Sequence, residues 1–535
     1  MRHFGASIAQ IERILDNLVF DLSPSFLHTA WTVFEDTIAL CLQSQQQERA
    51  FNYLERARSL ALRQYLHISK SIFEGKEEPG DRFPSRAMHT DRVMILRTQD
   101  ELKTWQDRYR SYSTLLTQVD TSVSPSVERG IIEAEVQQCE AKLNELFERL
   151  YLQQATTRLT PGSKKRRKDR GYFDVGQMRQ RLSPNQLILA YFLYKDSLVI
   201  FVLNKEQLAT CEIPDGMKQL KRLLPLLHAH LQPTGWPNPQ QPPQQAIRSM
   251  LNKLYHLLIA PVQALLLPQP GCLTIVPYGP LHTLPFHALY DGSHYLIEQF
   301  EVNYLPASSI PMISVGDKSA FPSKPPLIFG YSGQRHLQRA LEEAKILAAL
   351  LKGHSYLEDE ATIARLIEEA PGSPIIHLAT HGDSRLDAPN FSSVLLAEGR
   401  FNAIDAFSLN LQDCELVTLS GCETGLALIG GGDEQLGLGR AFLAAGANTL
   451  VMSLWPVDDD ATSELMQLFY QNLLHGDGKA QALRGAQCAF IHRSHSIYTH
   501  PYYWAAFRLV GDVGPLKFHM SEFPSAGHEI QSLKK

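Results

Sequence analysis

The sequence predicts an α/β fold in which helices cover both faces of a parallel sheet, preceded by an all-α region that contains a helical hairpin. In the second half of the chain, short apolar runs bounded by turn residues alternate with amphipathic segments. Strands that alternate with helices are typical of parallel sheets covered on both faces. In the first half, two long segments carry apolar residues at alternating spacings of three and four residues, which indicates paired helices.

The N-terminal segment, residues 1–90, is predicted to be helical and to resemble a tetratricopeptide repeat in part. Ala50, Leu54 and Ala57 occupy the small and apolar positions of the second helix of such a repeat. One repeat is recognisable, whereas a stable array needs about three units, so we expect this region to pack on other helices. An ordinary helical domain explains the pattern equally well.

Residues 91–160 are predicted to form an antiparallel helical hairpin that turns within the Ser- and Pro-containing segment 120–126. Cys139 falls on the apolar seam of this hairpin and is expected to lie in its core. Residues 161–172 combine Pro, Gly and Ser with a run of Lys and Arg, which predicts an exposed basic linker. The sequence beside this run gives no support for nucleic-acid binding.

The rest of the chain divides into three predicted segments. Residues 173–324 open with two β-rich runs that indicate a hairpin, and they continue with further strands and helices. Residues 325–515 alternate short apolar runs with amphipathic segments, which predicts the α/β core. Residues 516–535 are predicted to be a C-terminal tail.

Two apolar runs of the core each end in a reactive side chain. The run from Pro374 leads to His381 and the run from Glu415 leads to Cys422, with a glycine within three residues after each. Both runs are predicted to be buried strands, and neighbouring parallel strands bring their carboxyl ends to one rim, where ligands bind. A thiol beside an imidazole is a candidate nucleophile and base. A buried structural Cys with an unrelated His is the alternative, but the position of both at strand ends favours catalysis.

Three sequence blocks around these residues resemble the signature of the CHAT domain. That family comprises caspase-like cysteine peptidases associated with tetratricopeptide repeats, related to separases, gingipains and caspases. The blocks, in the order of the family, are 377–382 (HLATHG), 420–425 (SGCETG) and 453–459 (SLWPVDD). By this resemblance, residues 173–324 are the N-terminal part of the CHAT domain and residues 325–515 are its caspase-like catalytic core, with a caspase-type sheet.

The resemblance implies a cysteine endopeptidase that cleaves a protein substrate through a dyad of His381 and Cys422. It also implies that the backbone amides of Gly382 and Cys422 form the oxyanion hole. The helical region would then bind a protein partner or activator. The alternative is a catalytically silent caspase-like scaffold that acts in protein–protein interaction, and the presence of both the His and the Cys favours the peptidase.

Asp458 and Asp459 follow a further predicted strand, whose end is expected at the same rim. Carboxylates at that position would bind a basic side chain preceding the scissile bond, as in the related Arg- and Lys-specific peptidases. The competing interpretation is that this acidic run caps the helix that follows, because Asp is favoured at helix N-termini.

The sequence predicts neither a metal nor a cofactor. His377 and His381 form an H-x-x-x-H pair on a strand, whereas the zinc motif of that spacing lies on a helix with an adjoining Glu. The Gly-rich segment 430–439 lacks the third glycine of a dinucleotide-binding loop and the Gly-Lys-Ser/Thr of a phosphate-binding loop. We expect this segment to be a mobile loop beside the site.

Composition excludes several classes of protein. A net charge of −5 is typical of neither a nucleic-acid-binding nor a polycationic membrane-binding chain, so neither partner is expected. Seven cysteines scattered over 535 residues indicate no disulfide framework and fit a cytoplasmic location. The first residues lack the apolar stretch of a signal peptide, and no apolar run of about 18 residues predicts a membrane span.

Overall fold

The computed structural model describes residues 8, 24–58, 62, 86–120, 126–157, 174–233, 236, 242–266, 271–310, 324–333, 338–421, 428–430, 434–494 and 496–518. Three predicted features lie outside these residues: the basic linker 161–172, Cys422 and the C-terminal tail beyond residue 518.

The helices of the described residues are α1 (Pro24–Gln43), α2 (Gln47–Ala57), α3 (Arg86–Asp120), α4 (Ser126–Thr157), α5 (Val175–Arg181), α6 (Gly216–Leu231), α7 (Gln244–Leu258), α8 (Leu296–Gln299), α9 (Gln338–Leu351), α10 (Ile363–Glu369), α11 (Ala403–Ala406), α12 (Leu438–Ala444), α13 (Asp459–Leu474), α14 (Lys479–Ile491) and α15 (Pro501–Trp504). The strands are β1 (Gln186–Tyr194), β2 (Ser197–Leu203), β3 (Leu208–Ile213), β4 (Gly271–Val276), β5 (Phe300–Tyr304), β6 (Leu327–Gly330), β7 (His354–Leu357), β8 (Ile375–Ala379), β9 (Gly382–Asp383), β10 (Ser393–Leu396), β11 (Gly399–Asn402), β12 (Leu416–Leu419), β13 (Leu428–Gly430), β14 (Glu434–Leu436), β15 (Thr449–Ser453) and β16 (Phe507–Gly511).

Among the described residues, eleven strands form one sheet in the order β3-β2-β1-β4-β5-β16-β15-β12-β8-β6-β7. Neighbouring strands run parallel except in the pairs β1–β2, β2–β3 and β15–β16. Because β16 is antiparallel to β15 and parallel to β5, strands β1, β4 and β5 run opposite to β6, β8, β12 and β15. Strands β6, β8, β12 and β15 therefore end at the same edge of the sheet, which we call the C-terminal rim.

Helices cover both faces of this part of the sheet. On one face, His377 of β8 and Thr418 of β12 contact the hydroxyl of Tyr470 on α13. On the opposite face, Met452 of β15 lies against Gly439 of α12, where an added Cβ would meet the Met side chain at 3.0 Å. Strands β8, β12 and β15 are buried along their length, as parallel strands covered on both faces should be. The predicted fold class is confirmed.

Helices α3 and α4 form the predicted antiparallel hairpin. Its seam holds buried Tyr109, Cys139 and Leu143, and Cys139 lies in the core as expected. Phe391 and Ile404 belong to the same apolar cluster, so the hairpin packs on the segment that contains the small sheet β11-β10-β9. The all-α region is therefore attached directly to the α/β part of the chain.

Helices α1 and α2 pack on the large sheet as well as on each other, which differs from the expectation that this region packs on other helices. The ring centroids of Phe51 on α2 and Phe201 on β2 lie 5.5 Å apart. The buried carboxylate of Glu55 accepts hydrogen bonds from the backbone N–H groups of Ser308 and Ser309, at 3.2 and 3.0 Å. The apolar β1–β2 hairpin thus covers the face of α2 that further tetratricopeptide repeats would bury in an array.

The sequence analysis did not predict the two small sheets. Strands β9 to β11 occupy the segment between His381 and β12, and β13 and β14 form a short hairpin at the start of the Gly-rich segment, which was expected to be a loop. Strands of two to four residues are too short to show alternation of apolar and polar residues.

Within the described residues, no helix is both long and apolar enough to cross a membrane.

Candidate active site

His381 lies just beyond β8, at the C-terminal rim, and its backbone is fixed from two sides. The N–H of Tyr331, which follows β6, donates to the carbonyl of Ala379 at 3.1 Å. On the other side, the N–H of Leu395 on β10 donates to the carbonyl of His381 at 2.9 Å. The hydroxyl of Thr380 donates to the Leu395 carbonyl at 2.5 Å. The strand before His381 and the small sheet after it therefore fix the backbone position from which the imidazole projects.

The end of β12 is fixed to its neighbours on both sides. The N–H of Ser420 donates to the carbonyl of Leu378 on β8 at 2.9 Å. The hydroxyl of Ser453 on β15 donates to the carbonyl of Gly421 at 2.5 Å. Cys422, the predicted nucleophile, lies outside the described residues and directly follows Gly421 in the sequence. The structure thus brings the strand ends that precede His381 and Cys422 side by side at the C-terminal rim.

The peptide unit between His381 and Gly382 has a defined orientation. In a trans peptide, the carbonyl of one residue and the N–H of the next point in opposite directions. Because the His381 carbonyl points to Leu395 on β10, the Gly382 N–H points away from β10. It therefore lies on the outer edge of β9, the terminal strand of the small sheet. This orientation suits a donor to an oxyanion.

Gly333, three residues after β6, lies against the imidazole of His381. A Cβ added at Gly333 would lie 2.7 Å from Cδ2 and 3.1 Å from Nε2 of His381. Such distances are too short for a real side chain, and the φ of Gly333 is +55°, which also favours glycine. No sequence motif had singled out this residue. The signal available was a glycine soon after a predicted strand at the same rim.

His377 belongs to a buried network beneath the rim. Its Nε2 lies 2.8 Å from Oε1 of Glu343 on α9, and its Nδ1 lies 3.2 Å from the hydroxyl of Tyr470. That hydroxyl is 2.8 Å from Oγ1 of Thr418 on β12. Burial raises the pKa of Tyr470, so the phenol stays neutral. Both ring nitrogens of His377 are engaged within the protein, which gives this histidine a structural role.

Asp458 and Asp459, the predicted pocket residues, lie at the start of α13, just beyond β15. Asp458 is the N-cap of α13, and its carboxylate accepts a hydrogen bond from the N–H of Ala461 at 2.9 Å. The competing interpretation of the sequence, helix capping, therefore applies to Asp458. Burial, followed by repulsion from Asp458, Glu343 and Asp460, raises the pKa of Asp459 to about 6.

Arg385, four residues after His381, connects the site to the hairpin. Its guanidinium lies 3.0 Å from Glu140 on α4 and forms two hydrogen bonds with Asp387, at 2.9 and 2.7 Å. A cleft of about 100 Å³ lies beside it, between the hairpin and the small sheet. The lining residues are Tyr109, Ser113, Leu116, Val136, Asp383, Arg385, Phe391 and Arg400. Since Arg385 and Arg400 each pair with carboxylates, the charges of this cleft are balanced internally.

The arrangement at the rim offers groups that suit acyl transfer. Within the part of the chain that the structure describes, no group of three or more His, Cys, Asp and Glu side chains is arranged to hold a metal ion. The rim instead combines an imidazole, an outward backbone N–H and a strand end that leads to a cysteine.

Comparison with known proteins gives a family match for one part of the chain. Residues 248–512 match the family model of the CHAT domain, which confirms the resemblance predicted from the three sequence blocks. The chain is similar to tetratricopeptide repeat protein 28 of Homo sapiens, with 28% identity over 332 residues, and of Mus musculus, with 28% identity over 328 residues. Each match covers 49% of this chain but only 13% of the relative, so the chain spans a small part of the length of these curated relatives.

Two solved structures are also similar. The Saccharomyces cerevisiae separase–securin complex has a TM-score of 0.48 and 9% identity, over 94% of this chain and 48% of that chain. The Arg-specific cysteine proteinase gingipain R has a TM-score of 0.32 and 9% identity, over 51% of this chain and 68% of that chain.

Proposed function

Because residues 248–512 match the family model of the CHAT domain, we propose that the chain is a cysteine endopeptidase that cleaves a protein substrate through His381 and Cys422. The single observation that supports this best is the adjacency of the two strand ends. Ser420, two residues before Cys422, donates to β8, the strand that leads to His381. Neighbouring parallel strands are the usual means by which an α/β sheet assembles a site from distant parts of the sequence.

The proposed reaction is acyl transfer in two steps. The sulfur of Cys422 attacks the carbonyl carbon of the substrate peptide bond while the thiol proton passes to His381. The C–N bond then breaks, His381 donates that proton to the leaving amine, and a thioester remains on the sulfur. Water, deprotonated by His381, hydrolyses the thioester and restores the thiol.

The oxyanion of each tetrahedral intermediate needs preorganised N–H donors. We assign this role to the amides of Gly382 and Cys422. The orientation of the Gly382 N–H, away from β10 and toward the outer edge of β9, supports the first assignment. A glycine at this position also leaves room for the substrate backbone to approach.

Asp458 and Asp459 are proposed to favour Arg or Lys before the scissile bond. Both follow β15 at the C-terminal rim, and a guanidinium that faces a carboxylate gains a charge-assisted hydrogen bond. The pKa of Asp459, raised by burial to about 6, leaves this group charged at neutral pH. It also means that the carboxylate gains from a cationic neighbour, which a bound basic side chain would supply.

The helical region is proposed to bind a protein partner or activator. It contacts both segments that leave the site. The hairpin packs on the segment after His381 through Arg385 and Glu140, and α1 contacts β13, which begins six residues after Cys422. A partner that displaces either helical element would therefore act on a segment attached to the dyad.

The pH dependence of cysteine alkylation tests the dyad without a known substrate. Wild-type full chain, His381→Gln and Cys422→Ala are treated with iodoacetamide between pH 5.5 and 9, and each cysteine is quantified by peptide mapping. Burial raises the pKa of Cys272 to about 12 and that of Cys488 to about 11, so both serve as slow internal references. We expect Cys422 to react well below pH 7.5 in the wild type and to lose about tenfold in rate at pH 6.5 in His381→Gln.

A second measurement separates the peptidase from a silent caspase-like scaffold. A biotinylated peptidyl acyloxymethyl ketone with Arg at the reactive position is applied to the same three proteins. Labelling of wild type that disappears in Cys422→Ala supports the peptidase. If Cys422 is alkylated no faster than the reference cysteines and the probe labels none of the three proteins, the chain is a silent scaffold.

A further inference from the structure

The turn after β6, residues 331–333, is connected to three different parts of the site. Tyr331 donates its N–H to β8 through the Ala379 carbonyl, at 3.1 Å. Ser332 is buried and donates to Glu358, through its hydroxyl at 2.6 Å and its backbone N–H at 3.3 Å. Gly333 lies against the imidazole of His381. We propose that this turn, held by Glu358, is the element that positions the catalytic imidazole; the inference rests on the proposed role of His381.

Contact distances support a positioning role for Gly333. The space in front of its Cα is occupied by Cδ2 and Nε2 of His381 and by Cδ2 of Leu395, which a Cβ would meet at 2.7, 3.1 and 3.4 Å. The turn therefore bounds the ring on one side, and the side chain of Leu395 on β10 lies close to the same turn. A turn in contact with the ring limits the positions that the imidazole can take, and the transfer of a proton to and from a sulfur requires a defined orientation.

Glu358 is built to hold the turn. It follows β7 and has a φ of +45°, a conformation that residues other than glycine rarely adopt. Both of its carboxylate oxygens accept hydrogen bonds from Ser332. Strained residues of this kind persist where the surrounding structure requires them, and they are concentrated at functional sites. The pair links β7, at the edge of the sheet, to the loop that bounds His381.

Gly333→Ala and Gly279→Ala form a matched pair for the first test. Gly279 has nearly the same φ, +53°, but the nearest atom to an added Cβ there is 3.9 Å away. Both substitutions therefore place alanine at the same positive φ, and only Gly333→Ala brings a Cβ against the imidazole. The full chain in the Cys422→Ala background is labelled with ¹³C at histidine Cε1, and the His381 resonance is identified by its loss in His381→Gln.

We expect the His381 resonance to shift in Gly333→Ala and to stay in place in Gly279→Ala. An unshifted resonance in a folded Gly333→Ala protein would overturn the proposal. In the presence of Cys422, we expect Gly333→Ala to lower the maximal rate of labelling by the peptidyl acyloxymethyl ketone by about 100-fold, with little change in the probe concentration that gives half of that rate, because misplacement of a catalytic group affects the chemical step.

Glu358 variants give the test if Gly333→Ala does not fold. Glu358→Gln keeps one acceptor for Ser332, whereas Glu358→Ala removes both. We expect the rate of Cys422 alkylation at pH 6.5 to decrease from wild type to Glu358→Gln to Glu358→Ala, and the reference cysteines to be unaffected. Equal rates in all three proteins would refute the positioning role. If His381→Gln itself leaves alkylation unchanged, the dyad fails instead, and the histidine resonances still report whether the turn holds the ring.

Discussion

The imidazole of His377, on the strand that leads to His381, and the carboxylate of Glu343 on α9 lie 2.8 Å apart, and both are buried. Tyr470 and Thr418 complete this network on the other side of the ring. Polar groups buried at this depth are costly unless they are paired, so the network fixes α9 and α13 against β8 and β12. The four groups together keep these two helices and two strands aligned on one face of the sheet.

Glu343→Ala is expected to lower the free energy of unfolding by about 2–3 kcal/mol, because it leaves a buried imidazole without its carboxylate partner. Glu343→Gln retains an acceptor and should cost about 1 kcal/mol. Glu342→Ala, one position away on the exposed face of α9, is the control and should change stability by less than about 0.5 kcal/mol. Chemical denaturation of the full chain measures all three, and equal losses for positions 342 and 343 would contradict a stabilising network.

Much of the core was predictable because its strands are buried on both faces. The runs that lead to His381 and Cys422 gave strand positions within about two residues of β8 and β12. The hairpin was equally accessible, since its seam repeats over many turns and includes Cys139 at the core. In both cases the pattern is local and long enough to be read from one sequence.

The features that the sequence did not reveal depend on contacts between distant residues. Gly333 and His381 are 48 positions apart and meet because β6 pairs with β8, which no local pattern encodes. Strands β9 to β11 are too short for a periodic signal, although they determine the orientation of the Gly382 amide. The capping role of Asp458 and its proposed role in substrate binding could likewise not be separated from the sequence, because both require the same acidic residue type.

Substitutions at Asp458 separate these two roles. Asp458→Ala removes the cap of α13 and should cost about 1 kcal/mol, whereas Asp458→Ser supplies a hydroxyl acceptor and should keep most of that stability. If the carboxylate also binds a basic side chain, both variants should lose preference for a probe with Arg over one with Leu at the reactive position. Thermal melting and labelling rates of the same preparations provide the two readouts. Retained Arg preference in Asp458→Ser would restrict Asp458 to capping, and preference for an Asp probe would exclude the acidic pocket.

Asp459 should make stability depend on pH between about 4 and 6. Its pKa is about 6 in the folded protein, against about 3.9 for an unperturbed Asp, so the folded state binds more protons in this interval. Stability attributable to this group is therefore present below pH 4 and is lost as the pH rises through 6. Asp459→Asn should melt at a higher temperature than wild type at pH 7.5, and the difference should shrink toward pH 4.5. Asp460→Asn, at an exposed position paired with Arg339, is the control, and a pH-independent difference for Asp459→Asn would refute the assignment.

Tyr109→Ala tests whether the hairpin supports the segment that follows His381. Tyr109 is 2% exposed and packs on Phe391 with ring centroids 5.1 Å apart, so its truncation should cost about 3 kcal/mol of local packing. Phe391 precedes β10, the strand whose Leu395 N–H donates to the His381 carbonyl. We therefore expect faster amide hydrogen exchange in β10 and slower alkylation of Cys422 at pH 6.5.

Leu115→Ala on the same helix is the matched control, since Leu115 is 44% exposed and its loss leaves no cavity. It should change neither the exchange of β10 nor the alkylation rate. Faster exchange in α3 and α4 with unchanged exchange in β10 would show that the hairpin is attached to the α/β part of the chain without supporting it. In that case a partner would have to act on the site through a different contact, such as the one between α1 and β13.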